Sequence, residues 1–289
     1  MFGLLNINKP VGPTSHDVVA AARRRLGRGV KVGHAGTLDP FADGVLVLCV
    51  GAATRLAGYV QARPKRYLAT VRLGATSSTD DSEGEITAAD AASPPAASAV
   101  EEVLREFVGT IEQIPPAHSA VHVGGRRAYQ LARAGEQLDL PPRTVTVHSI
   151  ELMSYDYPLL AVEVACGTGT YIRAIARDVG EAIGVGGYCE RLTRTAVGAF
   201  GIEEAIRPDQ LDPAEHLLPP TLALEHLPRI EAGPDWLGRI ANGSRVALHA
   251  PHAPGEVAVL APTGQLIALA TVAPDGRTLR PVKVFISSA

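Results

Sequence analysis

The stretch GHAGTLDPFADGVLVLCVGAATR, residues 33–55, decides the fold. Residues 45–50 form an unbroken apolar run bounded by Gly44 and Gly51, the pattern of a strand covered on both faces, and they predict the central strand of a sheet. The loop before that run holds Gly33, Gly36 and Gly44, which allow backbone conformations and close approaches suited to wrapping a ligand. Asp39 precedes Pro40, so its backbone is pushed toward extended geometry and its carboxylate is presented from a stiff support. Asp39 is therefore either an aimed functional carboxylate or a turn residue bonding its own backbone. His34 divides in the same way between a ligand contact and an ordinary packed or surface histidine.

Outward from this stretch, residues 3–9 read as a first strand ended by Pro10 and the Gly12-Pro13 turn, and Ser15 is expected to cap a helix over about 16–26 closed by Gly27. Residues 66–73 alternate, which puts Tyr67, Ala69, Val71 and Leu73 on the core side. Residues 88–98 read as an exposed loop of low complexity, followed by a helix that a Ser98/Glu101 capping box starts. Next come Pro115-Pro116, a short strand over 119–123, a Gly124-Gly125 turn, and a short helix in RRAYQLARA ended by Gly135. Two alternating β-branched strands, 143–155 and 159–166, flank a Tyr-Asp-Tyr-Pro turn. GTGTYIR, 167–173, lacks both Gly-Lys-Ser/Thr and GxGxxG, which excludes a nucleotide-phosphate loop, and it hands over to a helix ended by Gly184. Tyr171 and Arg173, two apart in extended chain, are expected on one face. Leu192 is expected to begin the last core strand. Beyond an acidic, proline-punctuated linker, a short helix over 236–241 and strands near 245–248, 257–260, 265–272 and 279–286 predict a small β-barrel.

The 289 residues, 46% of them hydrophobic, suffice for one large domain and a small one. The N-terminal MFGLLNINKP lacks the basic and apolar segments of a signal peptide, and no run reaches the ~18 apolar residues of a membrane helix. Cys49, Cys166 and Cys189 lie far apart without CxxC spacing, which argues against a disulfide framework or zinc site and for a reducing, cytoplasmic setting. The nine histidines show no ligand spacing, so no metal is expected. The net charge of −3 carries no basic imprint of nucleic-acid binding, but the average hides a division. Residues 21–31 hold Arg23, Arg24, Arg25, Arg28 and Lys31 with no acid, and 63–72 add Arg63, Lys65, Arg66 and Arg72. Residues 80–106, from Asp80 and Asp81 to Glu106, are acidic with Arg105 the lone cation, so one basic and one acidic face are expected.

NINKPVGPTSHD (6–17), the 33–55 stretch, KRY (65–67), IPPAHSAVHVGGRRAYQLARAG (114–135) and GTYIR (169–173) occur in one order, and together they resemble the TruB family of tRNA pseudouridine synthases over roughly residues 3–200. The resemblance implies an α+β fold: a pseudouridine-synthase core with a mixed, mainly antiparallel sheet flanked by helices over residues 1–222. It also implies an RNA-gripping thumb insertion at about 118–147 and a small PUA-like C-terminal β-barrel over 223–289. The implied reaction isomerises the T-loop uridine at tRNA position 55, breaking its C1′–N1 bond and rejoining C1′ to C5 on a base flipped from the stack.

By resemblance Asp39 is the catalytic carboxylate, acting at C1′, C6 or C2′, and Arg173 pairs with it to favour its charged form. Tyr67 stacks on the extruded ring, Tyr171 lies near the base, Leu192 lines the apolar wall, and His34 fills or braces the space beside the nucleotide. RNA contacts are expected from Arg23, Arg24, Arg25 and Lys31 and, in the insertion, from Arg126 and Arg127; His122 stands where the family commonly carries lysine. No cofactor is implied, since the isomerisation has no redox step. The implied partner is the tRNA T-arm, with no membrane and no obligate protein partner, and a monomer is expected. The end of the chain soon after the barrel favours a stand-alone enzyme. Two other readings share these residues: a tRNA-binding folding chaperone independent of catalysis, using the same basic face, and a carboxylate hydrolase built on Asp39 and Asp43.

Overall fold

The computed structural model describes residues 1–89, 93–119, 131 and 140–286, together with the backbone of 122–123 and 126–127. In chain order, β1 (Gly3–Lys9) leads to α1 (Ser15–Leu26), β2 (Val32–His34), β3 (Asp43–Val50), α2 (Ala57–Gln61) and β4 (Lys65–Leu73). The small hairpin β5 (Ala75–Ser77) and β6 (Ile86–Ala88), α3 (Ala97–Glu106), β7 (Gly109–Gln113), and the short pair β8 (His122–Val123) and β9 (Arg126–Arg127) follow. The long hairpin β10 (Arg143–Asp156) and β11 (Leu159–Cys166), α4 (Ile172–Ile183), β12 (Gly187–Val197) and β13 (Phe200–Gly201) complete the larger unit.

The main sheet runs β1-β3-β12-β4-β11-β10-β7, with β2 beside β3 and β13 beside β12. Every pairing in it is antiparallel except that of β12 on β3, so the sheet is mixed and mainly antiparallel as expected. β3 is covered on both faces, as its unbroken apolar run requires. Leu46, Leu48 and Val50 enter the core with α1 and α4, while Val45, Val47 and Cys49 pack toward Ala258, Leu266 and Leu269 of the C-terminal unit. Each such side chain contributes about 1.5–3 kcal/mol by leaving water. The expectation that β3 is central needs correcting: it lies next to the edge strand β1, and β4 holds the middle. An apolar run reports that both faces are covered, and the second cover here comes from Ala53, Leu56, Val60, Phe200 and Leu224, in a cluster that also reaches the C-terminal unit, rather than from central rank.

Two capping expectations also change. Thr14, not Ser15, caps α1, in a reciprocal box with Asp17, leaving the Ser15 hydroxyl for another role. α3 starts one residue before Ser98, and its N-cap Ala96 makes no side-chain bond, so no Ser98/Glu101 box forms. Arg126 and Arg127 occupy strand β9, paired with β8, where the sequence pattern predicts the start of a helix. The remainder of that helix apart from buried Leu131, the Gly124-Gly125 turn, and the side chains of Arg126 and Arg127 lie outside the described residues.

Beyond α5 (Pro213–His216), the C-terminal unit comprises β14 (Arg229–Glu231), α6 (Trp236–Ala241), β15 (Val246–Ala247), β16 (Gly255–Leu260), β17 (Leu266–Val272) and β18 (Thr278–Val284). Its sheet, ordered β14-β16-β17-β18-β15, curls into a PUA-like half-barrel. Aromatic and charged contacts fix it to the larger unit. Phe285 stacks on Phe2 at 5.2 Å, Arg55 lies over Phe285 and donates to the Val284 carbonyl at 2.6 Å, and Tyr59 bonds Glu256.

Candidate active site

Four side chains far apart in sequence pin the loop between β2 and β3. Arg194 of β12, 3% exposed, donates to the carbonyls of Val45 (2.7 Å), Thr37 (3.1 Å) and Gly36 (3.2 Å). Lys9, at the end of β1 and fully buried, donates to the carbonyls of Pro10, Pro13 and Pro40. Burial pushes the Lys9 ammonium down to about 8, against the opposing pull of Asp43 and Asp39. Ser15 bonds both the amide and the carbonyl of Leu38 at 2.9 Å. Gly44 takes φ +101° where β3 meets β12, and a Cβ there would lie 2.3 Å from the Arg194 carbonyl oxygen. Asp39 is thus held by neighbours on β1, α1 and β12, and its aim does not depend on the loop alone.

Asp39 looks into a cavity of about 770 Å³, of the size that takes a small organic ligand. The fourth pinning side chain, Arg173 in the first turn of α4, brings Nε to 3.0 Å from Asp39 Oδ2, a charge contact without hydrogen-bond alignment. The Asp39 side chain is 35% exposed and that of Arg173 only 4%. Arg173 also pairs with Asp81 at 3.0 Å and donates to the carbonyls of Thr79 (2.9 Å) and His118 (3.0 Å). The guanidinium therefore sits between one carboxylate open to the cavity and one buried behind it. Such a cation is positioned by its surroundings, and the open carboxylate faces a charge already oriented toward it.

The wall includes Tyr67, Tyr171 and Leu192, with Lys65, His16, Glu83 and Arg194. Burial pushes the phenols of Tyr67 and Tyr171 above the ordinary tyrosine value, so both are protonated at neutral pH and neither is a ready phenolate base. Lys65 is buried against the Gln61 carbonyl, and burial pushes it down to about 8. His34 does not line the cavity. It stands behind His16, rings edge-on at 5.3 Å, with its Nδ1 buried and without a partner among the described residues, and burial keeps it below the ordinary histidine range. Tyr171 and Arg173 both reach the cavity, but not through an extended strand: Tyr171 is the N-cap of α4 and Arg173 lies inside the helix. Leu192 lies in the middle of β12 rather than at its start.

The acidic face needs revision, and some residues of the basic one also serve the fold. Arg23 donates to the Val32 carbonyl and Arg25 to those of Asp209 and Leu211, so both tie α1 to its surroundings. Arg66 pairs with Glu163 and Arg72 with Glu190. Arg24, Arg28 and Lys31 remain exposed, and their side chains make no such bond among the described residues. Asp81 belongs to the buried centre, and Asp80 pairs with Arg177 at 2.9 Å, so the acidic run does not begin on the surface. Lys9, Ser15, Asp81 and Arg194 were all missed as site residues. The one sequence signal for Asp81 was its place in an acidic doublet just after a strand, and charge counting cannot separate a buried carboxylate from a solvated one.

Reattaching one sugar carbon from one ring atom of a base to another calls for a carboxylate beside a fixed counter-charge, and rings to keep hold of the base while its bond to the sugar is broken. This cavity offers both, and the comparisons with known proteins define the class as pseudouridine synthase. The model of the TruB family pseudouridylate synthase (N terminal domain) matches residues 23–172. A tRNA pseudouridine synthase B of Leifsonia xyli is 46% identical over 92% of this chain and 91% of its own, and one of Thermobifida fusca 42% identical over 99% of each. Among solved structures, a Cbf5-Nop10-Gar1 complex aligns with a TM-score of 0.75 and 27% identity, and an archaeal box H/ACA sRNP Nop10-Cbf5 complex with 0.74 and 26%. Each covers 99% of this chain and 86% of the matched one. The chain belongs to the TruB family of pseudouridine synthases.

Proposed function

We propose that this chain converts the T-loop uridine at tRNA position 55 to pseudouridine, with residues 1–222 as the catalytic domain and 223–289 as an accessory RNA-binding domain. The observation that carries the reading is the Asp39–Arg173 contact at 3.0 Å, at a cavity whose wall includes Tyr67, Tyr171 and Leu192. Flipping the uridine costs a few kcal/mol, which stacking on Tyr67 against the Leu192 wall offsets. Asp39 is the nucleophile, and Arg173 stabilises its charge without blocking its exposed side. Tyr171, protonated at rest, holds the base and relays a proton only once a partner takes its own. The enzyme works in the cytoplasm as a monomer; no helix among the described residues is long and apolar enough to cross a membrane.

The test is tritium release from C5-labelled uridine in a tRNA transcript, in its isolated T-arm hairpin, and in a transcript with cytidine at position 55. Release from the first two and none from the third is expected. Equal release from a transcript lacking uridine 55 would refute the assignment of position. Binding is expected to use Arg24, Arg28 and Lys31. Replacing all three by alanine should weaken tRNA affinity and flatten the slope of log K against log salt by roughly two to three, with single-turnover chemistry at saturating enzyme little changed. An unchanged slope would remove Arg24, Arg28 and Lys31 from the RNA interface.

A further inference from the structure

We propose that Gln113 is a positioning residue for the reaction, fixing the start of α4 and through it the Arg173 guanidinium on Asp39. Gln113 ends β7 and is 1% exposed. Its amide grips both polar backbone groups of one residue: Oε1 accepts from the Tyr171 amide at 2.8 Å, and Nε2 donates to the Tyr171 carbonyl at 3.1 Å. That carbonyl also accepts the first helical bond of α4, from the Ile175 amide at 3.2 Å. Tyr171 has no side-chain cap of its own, so a glutamine from a different strand does the work of holding the helix start.

The residues just after Gln113 extend the same grip. Arg177 donates to the Ile114 carbonyl at 2.9 Å, and Arg173 donates to the His118 carbonyl at 3.0 Å. Residues 113–118 thus form a strap across the first two turns of α4, with its one bidentate side-chain contact at Tyr171. A catalytic contact of 3.0 Å tolerates little displacement, since about 1 Å of misplacement can lower a rate on the order of 100-fold. Gln113 does not line the cavity, so it acts through Tyr171 and Arg173 and not on the substrate.

This inference rests on the isomerase reading, and the experiment separates the two. Tritium release is measured in single turnover at saturating enzyme, with tRNA affinity measured alongside, at a temperature where circular dichroism shows every variant folded. Gln113→Met, which keeps the volume and removes both bonds, is expected to slow release roughly 10- to 100-fold with affinity changed less than about twofold. Gln113→Asn keeps the amide but draws it back by one methylene, and should fall between. In an Arg173→Lys background, Gln113→Met should slow release little further, because the geometry it protects is already lost. A Gln113→Met rate equal to wild type, a loss confined to tRNA affinity, or full multiplication of the two effects would each overturn the proposal. Absence of release by the wild type would instead sink the isomerase reading itself.

Discussion

Arg173→Met is expected to slow isomerisation by about 1,000-fold or more and to destabilise the protein by about 3–5 kcal/mol. The two losses have different origins. The kinetic one arises at Asp39, which loses the cation beside it just as charge must be redistributed at the sugar and base. The stability loss arises at Asp81, whose side chain is 5% exposed and would be left as an uncompensated buried carboxylate. Breaking one partner of a buried pair is costly even where replacing the whole pair by apolar residues is not. Combining Arg173→Met with Asp81→Leu should therefore recover much of the stability and none of the activity. Thermal unfolding measured beside single-turnover rates checks both; recovery of rate in the double variant would show that Arg173 serves only the fold.

Asp39→Asn should show the opposite balance, losing about 10,000-fold or more in rate while stability changes by less than about 1 kcal/mol. Asp39 is one-third exposed and Arg173 keeps Asp81, Thr79 and His118 when Asp39 is neutralised, so no buried charge is stranded. Binding of tRNA should persist, because α1 and the accessory domain are untouched. A folding chaperone that uses this RNA-binding surface would keep its activity in the same variant, so tRNA refolding assays distinguish that reading from the isomerase. A melting temperature lowered as far as that of Arg173→Met would mean that Asp39 is the structural partner and Asp81 the spare one.

Much of the fold was legible because its signals are local. Alternation gave the burial of Tyr67, Ala69, Val71 and Leu73 on β4, and Gly184 at φ +84° ends α4 where its pattern stops. Loop position left Asp39 divided between a functional carboxylate and a turn residue, and it was the family resemblance that chose between them. What stayed hidden depends on tertiary pairing. Arg194 reads as one more basic residue in a strand, yet it is buried and holds two carbonyls of the Asp39 loop and one of β3; Lys9 reads as a strand end, yet it ties the Pro40 carbonyl of that loop to those of Pro10 and Pro13. Neither cation has a sequence neighbour that announces its partner, because backbone carbonyls are the same in every residue. The basic run over 23–31 shows the converse: five exposed like charges suggest one face, and nothing in the sequence tells that Arg23 and Arg25 also bond backbone carbonyls of the fold.

The central claim is that the carboxylate of Asp39, set against Arg173, is the group that attacks a flipped uridine. Its most direct test mixes excess Asp39→Asn enzyme with tRNA tritiated at C5 of uridine, under conditions where filter binding shows the tRNA fully bound. Wild-type enzyme is predicted to release the label to water within one turnover, and the variant to hold the same tRNA and release none over hours. Release by the bound variant at a rate near that of wild type would contradict the account.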